Sequence, residues 1–188
     1  MGLLDARRLI VRPRASLLTA RSCDIADGDG GSVGAIVGGS QKLEVRDEEG
    51  RALASIDRPW VIFYTRVDIS ESGGNRLGTV IRTGWFGRSR YEVRDEYGPV
   101  GGVLAPIKWP ALAYEFRLGS QVVARVGRRF GFPFRTGTYT VDVAEGATRT
   151  GRLLALSCAL AVDKELYRRR AYMLFWAAIY IPLLVLNR

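Results

Sequence analysis

A strand-like run enters the same turn twice in this chain, at Lys42-Leu43-Glu44-Val45-Arg46-Asp47-Glu48-Glu49-Gly50 and, 48 residues later, at Arg90-Tyr91-Glu92-Val93-Arg94-Asp95-Glu96-Tyr97-Gly98. Both copies alternate apolar and charged side chains (Leu43 and Val45 against Glu44 and Arg46, Tyr91 and Val93 against Glu92 and Arg94), the period of a half-buried strand. Asp and Gly then stand where the chain must reverse. A second run follows each turn, Arg51 to Ile56 and Pro99 to Leu104, so the repeating unit is a whole β-hairpin. Looser copies run from Ala20 to Val37 around Asp27-Gly28-Asp29-Gly30-Gly31 and from Tyr114 to Val126 around Gly119-Ser120. Strand, turn and strand signals recur from about Ala15 to Val143, with joints such as Ser72-Gly73-Gly74-Asn75 and aromatic runs such as Trp60-Val61-Ile62-Phe63-Tyr64. Serial hairpins must close or stack to remove their edges, which predicts a β-barrel or sandwich.

The C-terminal 40 residues differ in kind. Thr148 to Thr150 supply N-cap candidates, and from Gly151 the run Arg152-Leu153-Leu154-Ala155-Leu156-Ser157-Cys158-Ala159-Leu160-Ala161-Val162 is apolar on almost every side before Asp163-Lys164-Glu165. A helix apolar all round must be buried. Ten residues rise only about 15 Å, half of a hydrocarbon core of about 30 Å, so this helix belongs inside protein. A barrel with a helix in its lumen accommodates both parts of the chain. Ala171 to Leu186 is uncharged over 16 residues, follows Arg168-Arg169-Arg170 and is closed by Asn187-Arg188. That is just short of the usual spanning range of about 17 to 25 residues. Tyr172, Trp176 and Tyr180 resemble interface aromatics, and the arginine triplet would keep the preceding domain on the cytoplasmic side of an inserted segment. Pro182 is tolerated in membrane helices. The alternative is a second helix packed on the barrel or in an oligomer contact. The expected organisation is an N-terminal extension over 1–14, a barrel over 15–167 with its core helix at about 150–167, and an anchor-like segment over 168–188.

Charge narrows the partners. The chain has 28 Lys and Arg against 19 Asp and Glu, a net charge of +9, and only Lys42, Lys108 and Lys164 are lysines. Arginine excess favours lipid headgroups, phosphates or nucleic acid, and genome bias produces the same composition. Two cysteines, Cys23 and the helical Cys158, make no disulfide framework and fit a reducing interior. No secretory signal is recognisable in Met1 to Ile10, so the bulk of the chain is expected in the cytoplasm. The 188 residues suit one domain.

Arg46 to Pro59 resembles the phospholipid scramblase pattern, in which a strand, an Asp-x-x-Gly turn and a second strand lead to an Arg-Pro pair, here Arg58-Pro59. Leu77-Gly78-Thr79-Val80 followed by Arg90-Tyr91-Glu92-Val93-Arg94-Asp95 is similar to that family's next element. Leu156-Ser157-Cys158-Ala159-Leu160-Ala161-Val162-Asp163 is similar to its terminal apolar helix with an acidic end. LURP-one-related proteins and the tubby C-terminal domain share this architecture. The matches cover roughly residues 15 to 166, in the family's order. The resemblance implies a mainly β, tubby-like, closed antiparallel barrel of twelve strands around a central hydrophobic C-terminal helix. The proline-rich region, palmitoylated cysteine cluster and acidic calcium loop of animal scramblases have no counterpart here. Between Phe130 and Gly146 the acids are only Asp142 and Glu145, too few oxygens for calcium.

The absence of histidine removes Ser-His-Asp and Cys-His nucleophile systems and most zinc sites, so the chain is expected to be no enzyme and to carry neither metal nor cofactor. Asp24, Asp27 and Asp29 do not have EF-hand spacing and read as a polar hairpin turn. The candidate lipid or phosphate ligands are Arg82, Arg88, Arg90, Lys108, Arg125, Arg128, Arg129 and Arg135, interleaved with Trp85, Phe86, Trp109, Phe130, Phe132 and Phe134. Arginine fits phosphate oxygens in a bidentate fork and exposed aromatics enter the headgroup layer, with Trp85 and Phe86 at one such loop tip. The competing reading folds the aromatics inward and leaves the arginines as a solvated rim. The chain is thus expected to be a non-enzymatic barrel at the cytoplasmic face of a membrane, bound to anionic phospholipid and held by its C-terminal segment. Lipid translocation by an oligomer, nucleic-acid binding and a protein scaffold are the rivals.

Overall fold

The computed structural model describes residues 2–13, 22–39, 41–57, 66–83, 89–105, 111–129 and 138–162. Twelve strands follow one another: β1 (Arg8–Pro13), β2 (Cys23–Asp27), β3 (Ser32–Gly38), β4 (Lys42–Asp47), β5 (Ala52–Asp57), β6 (Arg66–Glu71), β7 (Arg76–Arg82), β8 (Ser89–Arg94), β9 (Pro99–Ala105), β10 (Ala111–Leu118), β11 (Gln121–Arg129) and β12 (Tyr139–Val143). Each is antiparallel to the next, and β1 pairs with β12 from Arg8↔Asp142 to Val11↔Tyr139, which closes the barrel and leaves no edge. The N-terminal extension expected over residues 1–14 is therefore corrected. Arg8–Pro13 is a barrel strand, and Leu3 and Ala6 of the turn before it are buried in the same core.

The repeated hairpin is present in both copies, and its alternation has the predicted sense. Leu43, Val45, Tyr91 and Val93 point into the core, each 5 % exposed or less. Glu44 and Arg46 face outward and pair at 2.7 Å, and Glu92 pairs with Arg94 in the same way. The two turns differ by one residue: Asp47 N–H donates to Arg51 O, whereas Asp95 N–H donates to Gly98 O. Asp carboxylates brace both turns, Asp47 Oδ1 accepting from Arg51 N–H at 2.8 Å and Asp95 Oδ1 from Tyr97 N–H at 2.8 Å. Gly50, Gly74 and Gly98 stand 24 residues apart, all with positive φ (81°, 85° and 138°), so the 48-residue repeat is two steps of a shorter one. Its intermediate copy is the β6–β7 turn, where Glu71 N–H donates to Asn75 O.

Helix α1 covers residues 149–162. Thr148 is its N-cap: its Oγ1 accepts from Gly151 N–H at 3.1 Å and its carbonyl from Arg152 N–H at 2.9 Å. All ten residues from Leu153 to Val162 are buried, as an apolar surface on every side requires. The helix enters beside the β10–β11 turn, since a Cβ on Gly151 would stand 3.6 Å from Val123 and 3.8 Å from Leu118. It runs toward the other end of the barrel, where Tyr114 Oη donates to Ala159 O at 3.1 Å. Gly78 makes room along the way: a Cβ there would lie 3.5 Å from Leu154 Cδ1 and 3.2 Å from Arg94 O. The expected lumen helix is thus present, and residues 163–167 of its expected span lie outside the described residues.

Candidate functional site

Antiparallel order sorts the connections between strands into two sets. The β2–β3, β4–β5, β6–β7, β8–β9 and β10–β11 turns and the approach to α1 lie at one end, here the hairpin end. The strand ends flanking residues 14–21, 58–65, 84–88, 106–110 and 130–137 all lie at the opposite end. In sequence, the hairpin-end connections carry Asp29, Glu48, Glu49, Asp95, Glu96 and Glu145 with Arg51 as their one cation. The five segments just given for the opposite end carry Arg14, Arg21, Arg58, Arg88, Lys108 and Arg135 and no acid at all, and the sixth connection at that end, β3–β4, is uncharged. In sequence the connections of the two ends thus differ in sign, although Arg7, Arg149 and Arg152 add cations at the hairpin end.

Between the ends the outer wall is internally compensated. Asp68 takes Arg66 at 3.1 Å and Arg76 at 3.0 Å, and Glu115 takes Arg117 at 2.8 Å and Arg125 at 3.2 Å. Arg8 meets Asp142 at 2.5 Å across the seam that closes the barrel. Hydrogen bonds from Arg117 and Arg125 hold the Glu115 carboxyl below its usual range, and Arg46 does the same to Glu44. At Asp68 burial pushes the carboxyl up, but the Thr79 hydroxyl at 2.7 Å and the two guanidinium groups outweigh it, and the net shift is downward. Exposed pairs of this kind are largely screened by solvent, so the wall's charges serve neutrality more than stability.

The predicted ligands fall into three groups. Arg82 ends β7 opposite Tyr91 and Arg90 is the second residue of β8, so the structure brings these two to the opposite end together. Arg90 is exposed, whereas Arg82 is half-buried with its Nε shielded from solvent, its strand position alternating inward with Gly78 and Val80. Arg128 and Arg129 end β11 at the same end, opposite Leu112 and Ala111. Arg125 is set apart on the outer wall, exposed but engaged by Glu115. Arg88, Lys108, Arg135, Trp85, Phe86, Tyr172, Trp176 and Tyr180 lie outside the described residues, as do Trp109, Phe130, Phe132 and Phe134.

Other chemistry is sparse. Asp27 Oδ1 accepts from Asp29 N–H at 3.0 Å and Gly31 N–H at 2.8 Å, so this acid is committed to its hairpin turn. Among the described residues no group of His, Cys, Asp or Glu is arranged to hold a metal, and no helix is long and apolar enough to cross a membrane. Neither cysteine is in a disulfide; Cys23 is half-buried and Cys158 fully buried.

A closed antiparallel meander of twelve strands around one buried C-terminal helix defines the architectural class. Within it the chain belongs to the LURP-one-related family, whose model matches residues 7–163. That span runs from the residue before β1 through the described end of α1, so it covers the whole barrel and its helix. The family is a barrel fold not known as enzymatic. No curated protein and no solved structure matches the chain.

Proposed function

We propose that this LURP-one-related barrel is a non-enzymatic, scramblase-like protein that associates with anionic phospholipid at the cytoplasmic face of a membrane. The observation that supports the reading is the differing charge of the connections at the two ends of the barrel. Of the six connections flanked at the opposite end, five carry cations and no acid and the β3–β4 connection is uncharged, whereas the charged turns of the hairpin end are mainly acidic. Such a molecule is oriented by a negative surface, cationic end first, and each Lys or Arg near the surface contributes about 1 kcal/mol. Arg90, Arg128 and Arg129 belong to this end, and the segments it flanks also hold Trp60, Trp85, Phe86 and Trp109. The uncharged stretch from Ala171 to Leu186 with its arginine triplet would supply the anchor.

Fractionation of cells expressing the full chain and a version ending at Arg170 tests this, with membranes washed in high salt and then in alkaline carbonate. Carbonate-resistant full-length protein beside a folded truncation that salt releases is the expected result. Full-length protein that never enters the membrane fraction would sink the reading and favour a nucleic-acid or protein partner for the same cationic end.

A further inference from the structure

At the hairpin end, away from the proposed lipid surface, a groove of about 890 Å³ opens between the N-terminal turn, the β4–β5 turn and the first turn of α1. Its lining is mixed: the half-buried Leu4 and Leu53 offer an apolar patch above the buried core residues Leu3 and Val33, among charged side chains. The size lies in the range of about 300–1,000 Å³ typical of small-molecule sites.

The charges lining the groove do not cancel in place. Arg51 is committed, with Nε on Asp47 at 2.8 Å and Nη2 on Glu49 at 3.0 Å, which leaves this cluster with an excess of carboxylate. Arg152 gives Nε to Ala147 O at 3.0 Å and Nη1 to Ala6 O at 3.2 Å. Both acceptors are neutral carbonyls, which fix the guanidinium and leave its charge uncompensated. Arg149, one turn earlier on the same helix face, is exposed and makes no ion pair among the described residues. The positive end of the helix dipole reinforces this wall. On the β4–β5 turn Glu48 is exposed and makes no ion pair among the described residues, and Asp5 of the N-terminal turn, which accepts from Gly2 N–H at 3.2 Å, adds a second exposed carboxylate to the lining.

An anion alone would meet Arg149 and Arg152 but also Glu48, Asp5 and the excess carboxylate around Arg51, and a cation alone would meet the reverse. A molecule carrying both charges around an apolar body satisfies both walls and covers the apolar patch. We propose that this groove binds a short zwitterionic peptide with apolar side chains, its carboxylate on Arg149 and Arg152, its ammonium toward Glu48 and its side chains over Leu4 and Leu53. This site is independent of the lipid reading, being at the other end of the barrel.

The test titrates full-length protein with leucyl-leucine, N-acetyl-leucyl-leucine and leucyl-leucinamide, followed by calorimetry and backbone amide shifts. Leucyl-leucine should bind saturably and shift amides of Leu4, Leu53 and Arg149. Each blocked peptide should bind about tenfold more weakly or worse, the loss of one charge-assisted hydrogen bond. Arg149→Gln should weaken leucyl-leucine about tenfold and leave leucyl-leucinamide unchanged, while Glu48→Gln should do the same relative to the N-acetyl peptide. Both positions are exposed, so neither substitution disturbs the core. Absence of saturable binding, equal binding of all three peptides, shifts confined to other surfaces, or indifference to both substitutions would overturn the proposal.

Discussion

Leu154→Ala, made alone and together with Gly78→Ala, probes whether α1 is packed against β7 inside the barrel. Leu154 is 3 % exposed, so its truncation opens a cavity in the lumen and should cost about 2–5 kcal/mol. For a domain of this size that corresponds to a fall in Tm of about 4–20 °C. Gly78→Ala alone places a methyl group 3.2 Å from Arg94 O and 3.5 Å from Leu154 Cδ1. Overpacking of this kind costs about 1–3 kcal/mol, partly offset by up to about 1 kcal/mol from stiffening the unfolded chain. In the double variant the Leu154 methyl is gone, and the new Cβ occupies part of the space it leaves, recovering about 0.8 kcal/mol for the buried carbon. The double variant should therefore be more stable than the sum of the single changes by about 1 kcal/mol, a coupling within the range seen for residues in contact. Urea unfolding followed by circular dichroism, with equal m-values across the four proteins, measures it. Strict additivity, within about 0.3–0.5 kcal/mol, would mean that the two sites do not touch and would refute a helix threaded past Gly78.

Two further outcomes follow from the side-chain environments. Asp68 is held below the usual carboxylate range when folded, so the stability it contributes is present above its unfolded pKa and is lost as pH falls through the lower folded value. Asp68→Asn should flatten the acid limb of the stability curve below about pH 4 and leave the slope near neutrality unchanged, which denaturation at a series of pH values checks. Burial pushes the Cys158 thiol far up, whereas Cys23 is half-buried. A thiol reagent should therefore label Cys23 first in native protein and reach Cys158 only on unfolding, as mass spectrometry of labelled peptides would record; equal labelling in native protein would contradict a sealed lumen.

The strands with strong alternation were legible in sequence because the barrel buries one face of each. Leu43, Val45, Tyr91 and Val93 carried that signal and point inward. The helix was legible for the complementary reason, since a run apolar on all sides requires an enclosing shell. β1 was not, because its short run ends at Pro13 and its partner β12 lies more than 120 residues away, and non-local pairing leaves no mark in a local window. The 24-residue turn spacing was hidden because the β6–β7 turn starts with Glu71 where the flanking copies have Asp47 and Asp95. The candidate surface was legible only as a list of arginines. Topology separates Arg125, tied to Glu115 on the wall, from Arg90, Arg128 and Arg129, and only topology says which connections share an end.

Flotation of the full chain with anionic and with zwitterionic vesicles over a range of salt tests the membrane reading most directly, if Arg128→Gln/Arg129→Gln is set beside Arg46→Gln/Arg117→Gln. The first pair removes two charges from the cationic end and the second removes two from the compensated wall. The expected result is salt-sensitive binding to anionic vesicles, weakened about 30-fold by the end pair and at most a few-fold by the wall pair. Equal weakening by both pairs, or binding indifferent to lipid charge and salt, would contradict the account.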